Sequence, residues 1–239
     1  MQYCGLSNKG KVRGNNEDFF YVPEKDGIQV FVVCDGMGGE NAGEIASALA
    51  VSEIVVYIEE NFNEKDRALL LRKALLNANK TVLDTAKSDN RYDSMGTTAV
   101  CALPENDKVY IANVGDSRCY MFSDFKCEQI SVDHSYVQEM VDKGVLTPEE
   151  ARIHPNKNLI TRAIGVDRFI NVDVFVHTWK KGDRLLLASD GLTGMVDDEK
   201  LTEIICNAKS AKDGVEALVK AANDAGGKDN ITSVLIIND

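Results

Sequence analysis

Four aspartates stand at the boundaries of apolar, strand-like segments of the chain. Asp35 and Asp190 each end a run of apolar residues, and each is followed by a glycine. Asp18 and Asp229 each stand just before such a run. In an antiparallel sheet the end of one strand lies beside the start of its neighbour. We therefore expect all four carboxylates to share one rim of a sheet.

Converging carboxylates suit hard divalent cations, because Mg²⁺ and Mn²⁺ take oxygen ligands in octahedral geometry. Gly36 and Gly191 follow two of the aspartates, and a residue without a side chain lets its carbonyl oxygen approach an ion closely. Arg13 stands five residues before the first aspartate, and a guanidinium can grip phosphate oxygens with two hydrogen bonds. A single Asp-Gly pair is usually only a turn. Four such carboxylates beside an arginine predict a metal centre that acts on phosphate.

Composition limits the function classes. The 239 residues, 44% of them hydrophobic, are enough to bury a full core. The net charge of -11 argues against nucleic acid as a partner, because nucleic-acid affinity rests on Lys and Arg. The apolar runs are far shorter than the roughly 20 residues of a membrane helix, and the first ten residues lack a signal-peptide pattern. We expect a cytoplasmic protein without membrane insertion.

The spacing of apolar residues predicts the helices and strands that must position the aspartates. Apolar residues at helical spacing predict four helices, within 45–58, 71–82, 201–208 and 215–222. The strands do not alternate regularly with helices, which favours an α+β sandwich with sheets inside and helices outside. We expect one domain over 1–239, with strands at 19–22, 28–33, 97–103, 109–114, 118–122, 171–177, 184–188 and 231–237.

A long polar excursion, about 136–165, interrupts this pattern. Thr147, Pro148 and Glu150 predict a helix start there, with a capping box and proline at the first helical position. Long excursions between strands are often functional. We expect a surface flap that covers a site, with His154 as a candidate contact to substrate.

Taken in order, seven segments resemble the metal-dependent serine/threonine protein phosphatase family known as type 2C, particularly its compact bacterial members. The resemblance runs from Gly10 to Val234, and its landmarks are 13–18, 33–39, 96–99, 112–118, 133–135, 187–192 and 229–232. It implies a four-layer α-β-β-α sandwich in which two central antiparallel sheets are flanked by helix pairs. It also implies two Mn²⁺ or Mg²⁺ ions in a cleft at one end of the sandwich.

The resemblance assigns the metal ligands residue by residue. Asp35 would bridge both ions and Gly36 would offer its backbone oxygen. The remaining ligands of the pair would be Asp18, Asp190 and Asp229. In bacterial relatives a residue matching Asp116 holds a third, weaker metal ion together with the one matching Asp190.

Other positions would act around the ions. Arg13 would bind the substrate phosphate, and Glu17 and Asn230 would orient waters and ligands. His134 and Ser135 are interpreted as structural, because a single histidine in a loop needs no catalytic role.

Two divalent ions can activate a bridging water for in-line displacement. We therefore predict direct hydrolysis of phosphoserine or phosphothreonine without a phosphoenzyme, with Arg13, Asp35 and Asp190 as the catalytic residues. The expected partners are phosphoproteins, including a serine/threonine protein kinase and its substrates, and the chain is expected to be a monomer. Eukaryotic members carry a histidine where this chain has Met37, and many bacterial ones carry it where this chain has Glu40. Protonation of the leaving group is left to a metal-bound water, to Glu40, or to no protein group.

The sequence argues against three other functions. A nucleotide-binding loop at 36–39 fails because its glycines miss the G-x-G-x-x-G spacing and no G-x-x-x-x-G-K-[ST] exists. A haloacid-type phosphatase requires Asp-x-Asp after a strand, which neither Asp35 nor Asp190 provides. A binding module without turnover would not need the aspartates at all five expected ligand positions.

Overall fold

Two antiparallel sheets form the centre of the protein. The computed structural model describes residues 1–24, 27–38 and 42–239. The first sheet contains, in spatial order, β1 (Gln2–Asn8), β11 (Ile231–Ile237), β10 (Arg184–Ala188), β7 (Arg118–Ser123) and β8 (Lys126–Gln129). The second sheet contains β2 (Asp18–Tyr21), β3 (Phe31–Met37), β5 (Ala99–Glu105), β6 (Lys108–Val114) and β9 (Asp173–Thr178), with the short β4 (Gly96–Thr97) paired to β3.

Helices cover the outer face of each sheet. Contacts join α1 (Ala42–Glu60) and α2 (Arg67–Ser88) to the second sheet, and α6 (Asp198–Asn207) and α7 (Ala211–Asp224) to the first. The described part of the chain also contains a 3₁₀-helix at Asn90–Tyr92 and three short α-helices: α3 (Tyr136–Asp142), α4 (Pro148–Ile153) and α5 (Asp190–Thr193). None of the described helices is both long and apolar enough to cross a membrane.

Three apolar layers stabilise the sandwich, and a single strand can contribute side chains to two of them. On β3, Phe31 and Val33 face the layer between the sheets, whereas Val32 and Cys34 face the helices α1 and α2. This period of two is the side-chain alternation of a strand buried on both faces. The four-layer α-β-β-α architecture predicted from the resemblance is confirmed.

The sequence patterns locate most elements. The strands at 184–188 and 231–237 have the predicted bounds. The capping box of α4 is also present, since Thr147 Oγ1 accepts from Glu150 N at 3.2 Å and Glu150 Oε2 accepts from Thr147 N at 2.8 Å. Four of the labelled elements were not predicted, namely β1, β8, α3 and α5.

Candidate active site

Asp18 and Asp35 lie directly opposite each other on neighbouring strands of the second sheet. Asp18 opens β2, and Asp35 stands near the end of β3. The strand β3 presents Asp35 because Thr98 holds its backbone: Thr98 Oγ1 accepts from Asp35 N at 3.0 Å, and Thr98 N donates to Asp35 O at 2.9 Å. The strand pairing therefore brings two acidic groups together at one end of the sandwich.

Asp190 and Asp229 belong to the first sheet, so the expectation that all four aspartates share the rim of one sheet is wrong. Asp190 follows β10 and is the first residue of α5, and Asp229 stands two residues before β11. Each sheet contributes one pair, because both sheets end at the same side of the sandwich. Ser189 joins the two sheets by donating its hydroxyl to Asp18 Oδ2 at 2.7 Å.

Asp35, Asp190 and Asp229 line a cavity of about 280 Å³. Asp18 is buried, at 4% exposure, and is not among the lining residues of this cavity. The predicted site residues that line the cavity are Arg13, Glu17, Asp35, Gly36, Asp116, Asp190, Asp229 and Asn230.

Burial and mutual repulsion raise the pKa of several of the carboxyl groups in this site. Burial, opposed by hydrogen bonds to Thr232 and Ser189, raises the pKa of Asp18 to about 7. Burial together with the charge of Asp190 raises the pKa of Asp116 to about 8. The pKa of Asp35 is raised well above its ordinary value by burial and then by the charges of the surrounding aspartates. Such like-charged groups are typical of sites that bind a cation.

The donor set fits divalent cations in two respects. The Oδ1 atom of Asp18 is buried and has no hydrogen-bond partner among the described residues, and a buried carboxylate oxygen without a partner is costly unless a cation compensates it. The donors are oxygens throughout, as Mg²⁺ and Mn²⁺ require. No group of three or more His, Cys, Asp or Glu side chains in the described ranges is already arranged to hold an ion.

Backbone packing requires the two glycines that follow the acids. A Cβ atom on Gly36 would lie 2.1 Å from the carbonyl oxygen of Gly43, and one on Gly191 would lie 1.9 Å from that of Asn230. Any side chain at either position would force main-chain segments apart. The glycines thus allow close main-chain packing beside each aspartate, a reason that the Asp-Gly pattern alone does not reveal.

Arg13 stands at the edge of the cavity with half of its side chain exposed. Its Nη2 atom lies 2.7 Å from Asp229 Oδ2, and the two side chains are 51% and 28% exposed. Asn230 holds the arginine's segment in place, since its Nδ2 donates to Asn15 O at 2.8 Å and its Oδ1 accepts from Glu17 N at 2.8 Å. The cavity therefore combines one accessible guanidinium with a group of acids.

Comparison with known proteins identifies the family to which a chain with this site belongs. A family model described as protein phosphatase 2C matches residues 10–235. The chain belongs to the protein phosphatase 2C family. This membership makes it a protein serine/threonine phosphatase that works with divalent metal ions.

Individual relatives are similar in sequence to the phosphatase over nearly its whole length. It is 38% identical to the serine/threonine phosphatase stp of Listeria monocytogenes, over 98% of this chain and 94% of the relative. It is 36% identical to the protein phosphatase PhpP of Streptococcus pneumoniae, over 99% and 97%. Among solved structures, the Mycobacterium tuberculosis phosphatase PstP/Ppp has a TM-score of 0.90 at 33% identity, covering 98% and 97% of the two chains. A structure of the PstP catalytic domain in complex with 2 manganese ions has a TM-score of 0.87 at 32% identity, covering 98% and 96%.

Several hydroxyl side chains position the acids of the phosphatase. The sequence patterns assign no role to these hydroxyl groups. Thr97 Oγ1 donates to Asp35 O at 2.9 Å, and Thr98 Oγ1 lies 2.7 Å from Ser117 Oγ. Ser189 also accepts from Thr232 N at 3.0 Å. All of these residues stand inside the motif segments, and their contacts depend on strands that are distant in sequence.

The histidines take no visible part in the cavity. His134 is buried and its Nδ1 accepts from Gly115 N at 3.0 Å, next to Asp116. Burial lowers its pKa, opposed by a hydrogen bond to Asp173, in keeping with a structural role. His154 is absent from the described lining of the cavity, and its ring centroid lies 6.0 Å from that of Tyr136. Met37 does line the cavity, whereas Glu40 lies outside the described residues.

Proposed function

We propose that this phosphatase hydrolyses phosphoserine and phosphothreonine in proteins by direct attack of water on phosphorus, without a phosphoenzyme. The observation that carries the proposal is the convergence of Arg13 and the acidic residues Asp35, Asp116, Asp190 and Asp229 on one cavity. Acidic residues that can bind cations and an exposed guanidinium at the edge of the cavity together form a site for a phosphate monoester.

The acids would hold the metal ions. Asp35 would be shared between two ions, the Gly36 carbonyl would be a further ligand, and Asp116 with Asp190 would hold a third, weaker ion. The ligands of the pair are completed by Asp18, Asp190 and Asp229. Bound there, Mn²⁺ or Mg²⁺ would supply an activated water and the positive charge that in-line displacement at phosphorus needs.

Arg13 would bind and orient the phosphate. Its pair with Asp229 is exposed, and exposed ion pairs contribute little, about 0–1 kcal/mol. The guanidinium can therefore exchange a carboxylate oxygen for phosphate oxygens at small cost and stabilise the charge that develops in the transition state. Glu17 and Asn230 would fix the segment that carries Arg13, through the hydrogen bond between Glu17 N and Asn230 Oδ1 at 2.8 Å.

The cellular setting is inferred from the same activity. The substrates are phosphoproteins, and the natural partner is a serine/threonine protein kinase together with its substrates. We infer one domain over residues 1–239 with a flap at about 136–165, acting as a monomer in the cytoplasm. His154 remains a candidate substrate contact through that flap.

A single assay tests the proposal. Purified protein with Mn²⁺ should hydrolyse p-nitrophenyl phosphate and a phosphothreonine peptide, and EDTA should abolish both activities. Asp190→Asn should lower kcat/KM by roughly 10³-fold or more, because metal ions supply several kcal/mol of stabilisation to the transition state. The surface variant Asp124→Asn is the matched control. Activity that survives chelation, or an active Asp190→Asn protein, would contradict the mechanism.

A further inference from the structure

A second cavity lies between the flap helices α3 and α4 and the body of the protein. Its volume is about 310 Å³, at the lower end of the roughly 300–1,000 Å³ typical of ligand sites. We call it the flap cavity. Asp116, Asn158 and Asp190 line both this cavity and the catalytic one. The two cavities therefore adjoin, so a substrate bound in one cavity lies close to the other.

Four apolar residues of the flap line this cavity, namely Val137 and Val141 from α3 and Pro148 and Ala151 from α4. The flap also contributes polar lining residues, among them Gln138 from α3 and Arg152 from α4. Val137 and Ala151 are buried, at 8% and 9% exposure. Apolar side chains in a space open to ligand favour an occupant that removes aliphatic surface from water.

The charged residues of the flap cavity are paired with each other, belong to the acidic cluster of the catalytic cavity, or are exposed to solvent. Arg118 binds Asp133 through Nε at 2.9 Å and Nη2 at 2.7 Å, so this pair is neutral as a unit. Asp116 and Asp190 belong to the acidic cluster of the catalytic cavity. The other charged lining residues, Arg152, Lys157 and Asp198, are all exposed to solvent. An occupant of the interior therefore meets the aliphatic side chains, the hydrogen-bonded pair of Arg118 and Asp133, and uncharged polar groups.

We propose that the flap cavity binds an aliphatic side chain of a residue flanking the phosphorylated residue of the protein substrate. The inference rests on the proposed phosphatase function and adds sequence selectivity to it. Successive residues of an extended peptide are spaced by about 3.3–3.6 Å. A residue one or two positions from the phosphoresidue can thus place its side chain in a cavity that adjoins the catalytic one.

The test compares phosphothreonine peptides that differ at one flanking position at a time. Leucine, glycine, lysine and aspartate are placed in turn at the two positions on either side, and kcat/KM is measured with Mn²⁺. At one position or more, leucine should exceed glycine by about 10-fold or more, the discrimination that apolar pockets provide per few methylenes. Equal rates for leucine and glycine at every position, or a preference for lysine or aspartate over leucine, would overturn the proposal.

Two variants locate the selectivity in the flap cavity. Ala151→Phe fills the cavity from α4, and Val141→Glu places a charge among its apolar residues. Each should reduce the preference for leucine over glycine to less than about twofold while leaving kcat/KM for p-nitrophenyl phosphate within about twofold of the unmodified protein. Unchanged hydrolysis of this small substrate also shows that the variants fold.

Val145→Phe is the matched control. Val145 stands on the same flap, is 64% exposed and is not among the residues lining the cavity, so its variant should retain the leucine preference. A preference that persists in both Ala151→Phe and Val141→Glu would contradict the assigned position. Failure of the unmodified protein to hydrolyse p-nitrophenyl phosphate would instead contradict the proposed function, and the subsite would fall with it.

Discussion

Two arginine-aspartate pairs with the same shortest distance occupy opposite situations in this protein. Arg13 and Asp229 meet at 2.7 Å at the catalytic cavity, with side chains 51% and 28% exposed. Arg118 and Asp133 also meet at 2.7 Å beneath the flap, with side chains 27% and 9% exposed. Arg118 in addition donates to the hydroxyl of Tyr120 at 2.9 Å. The first pair makes one hydrogen bond, whereas the second makes several.

The difference shows how one kind of ion pair serves two purposes. An exposed, single contact is cheap to break, so Arg13 remains available to a ligand. A half-buried pair with several hydrogen bonds leaves a poorly compensated charge when one partner is lost, so Arg118 and Asp133 fix the fold. We therefore expect substitutions in the two pairs to separate activity from stability.

Between the two pairs, the larger effect on activity is expected at Arg13. Arg13→Ala should lower kcat/KM for p-nitrophenyl phosphate by about 10²-fold, because a charged group aimed at the transferring phosphoryl group is lost. The free energy of unfolding should change by less than about 1 kcal/mol. Steady-state kinetics and urea denaturation measure the two quantities. Arg13→Lys should recover part of the activity, since it keeps the charge without the planar fork, and a loss of stability that matches the loss of activity would erase the proposed distinction.

The half-buried pair should respond in the opposite way. Asp133→Asn should lower the free energy of unfolding by about 2–3 kcal/mol, because Arg118 would keep its charge without a carboxylate partner. At saturating Mn²⁺ the folded variant should retain most of its activity on p-nitrophenyl phosphate. Asp124→Asn breaks an exposed pair with Lys180 and serves as the control, with an expected change below about 1 kcal/mol. If the two variants proved equally stable, the half-buried pair would not have the structural role assigned to it.

A smaller effect is expected from the hydroxyl that joins the sheets. Ser189→Ala removes the hydrogen bond to Asp18 Oδ2 at 2.7 Å and should weaken Mn²⁺ binding by about 10-fold, the lower end of losses seen for residues that orient metal ligands. Isothermal titration calorimetry measures this directly. Ser88→Ala, at an exposed serine, should bind Mn²⁺ like the unmodified protein, and an unaltered affinity in Ser189→Ala would remove Ser189 from the site.

The smallest effect is a trend of stability with pH in metal-free protein. Burial raises the pKa of Asp18 to about 7 and that of Asp116 to about 8. A carboxyl whose pKa is raised on folding binds more protons folded than unfolded, so its stabilisation is complete below about pH 4 and is lost as the pH rises through the folded value. In EDTA, Tm should fall by about 5 °C between pH 6.5 and 8.5.

This window lies above the range in which His134 titrates, since the pKa of His134 is lowered by burial. Asp116→Asn should flatten the trend, and Asp124→Asn should not. A Tm that rises over the same window in the unmodified protein would show that the buried acids are not protonated as described.

Local patterns in the sequence predict much of the fold and of the acidic site. Asp35 and Asp190 were found because each ends a run of apolar residues, and β10 and β11 were found because their runs are continuous. The strand β1 was missed because polar residues interrupt its pattern and its partner β11 lies at the far end of the chain.

The division of the acids between two sheets could not be predicted from strand boundaries. It depends on stacking, which places Ser189 beside Asp18 although 171 positions separate them. The same holds for the flap cavity, because its wall combines α3 and α4 with residues that follow β10. The spacing of residues in the sequence predicts which residues border a strand. Which of these residues contact each other depends on how the layers pack.

The central claim is that acids from both sheets hold one group of divalent ions, and calorimetric titration of the metal-free protein with Mn²⁺ tests it most directly. The unmodified protein should bind at least two ions, Asp35→Asn should lose both, and Asp133→Asn should bind as the unmodified protein does. An Asp35→Asn protein that still binds two Mn²⁺ ions with unchanged affinity would contradict the account.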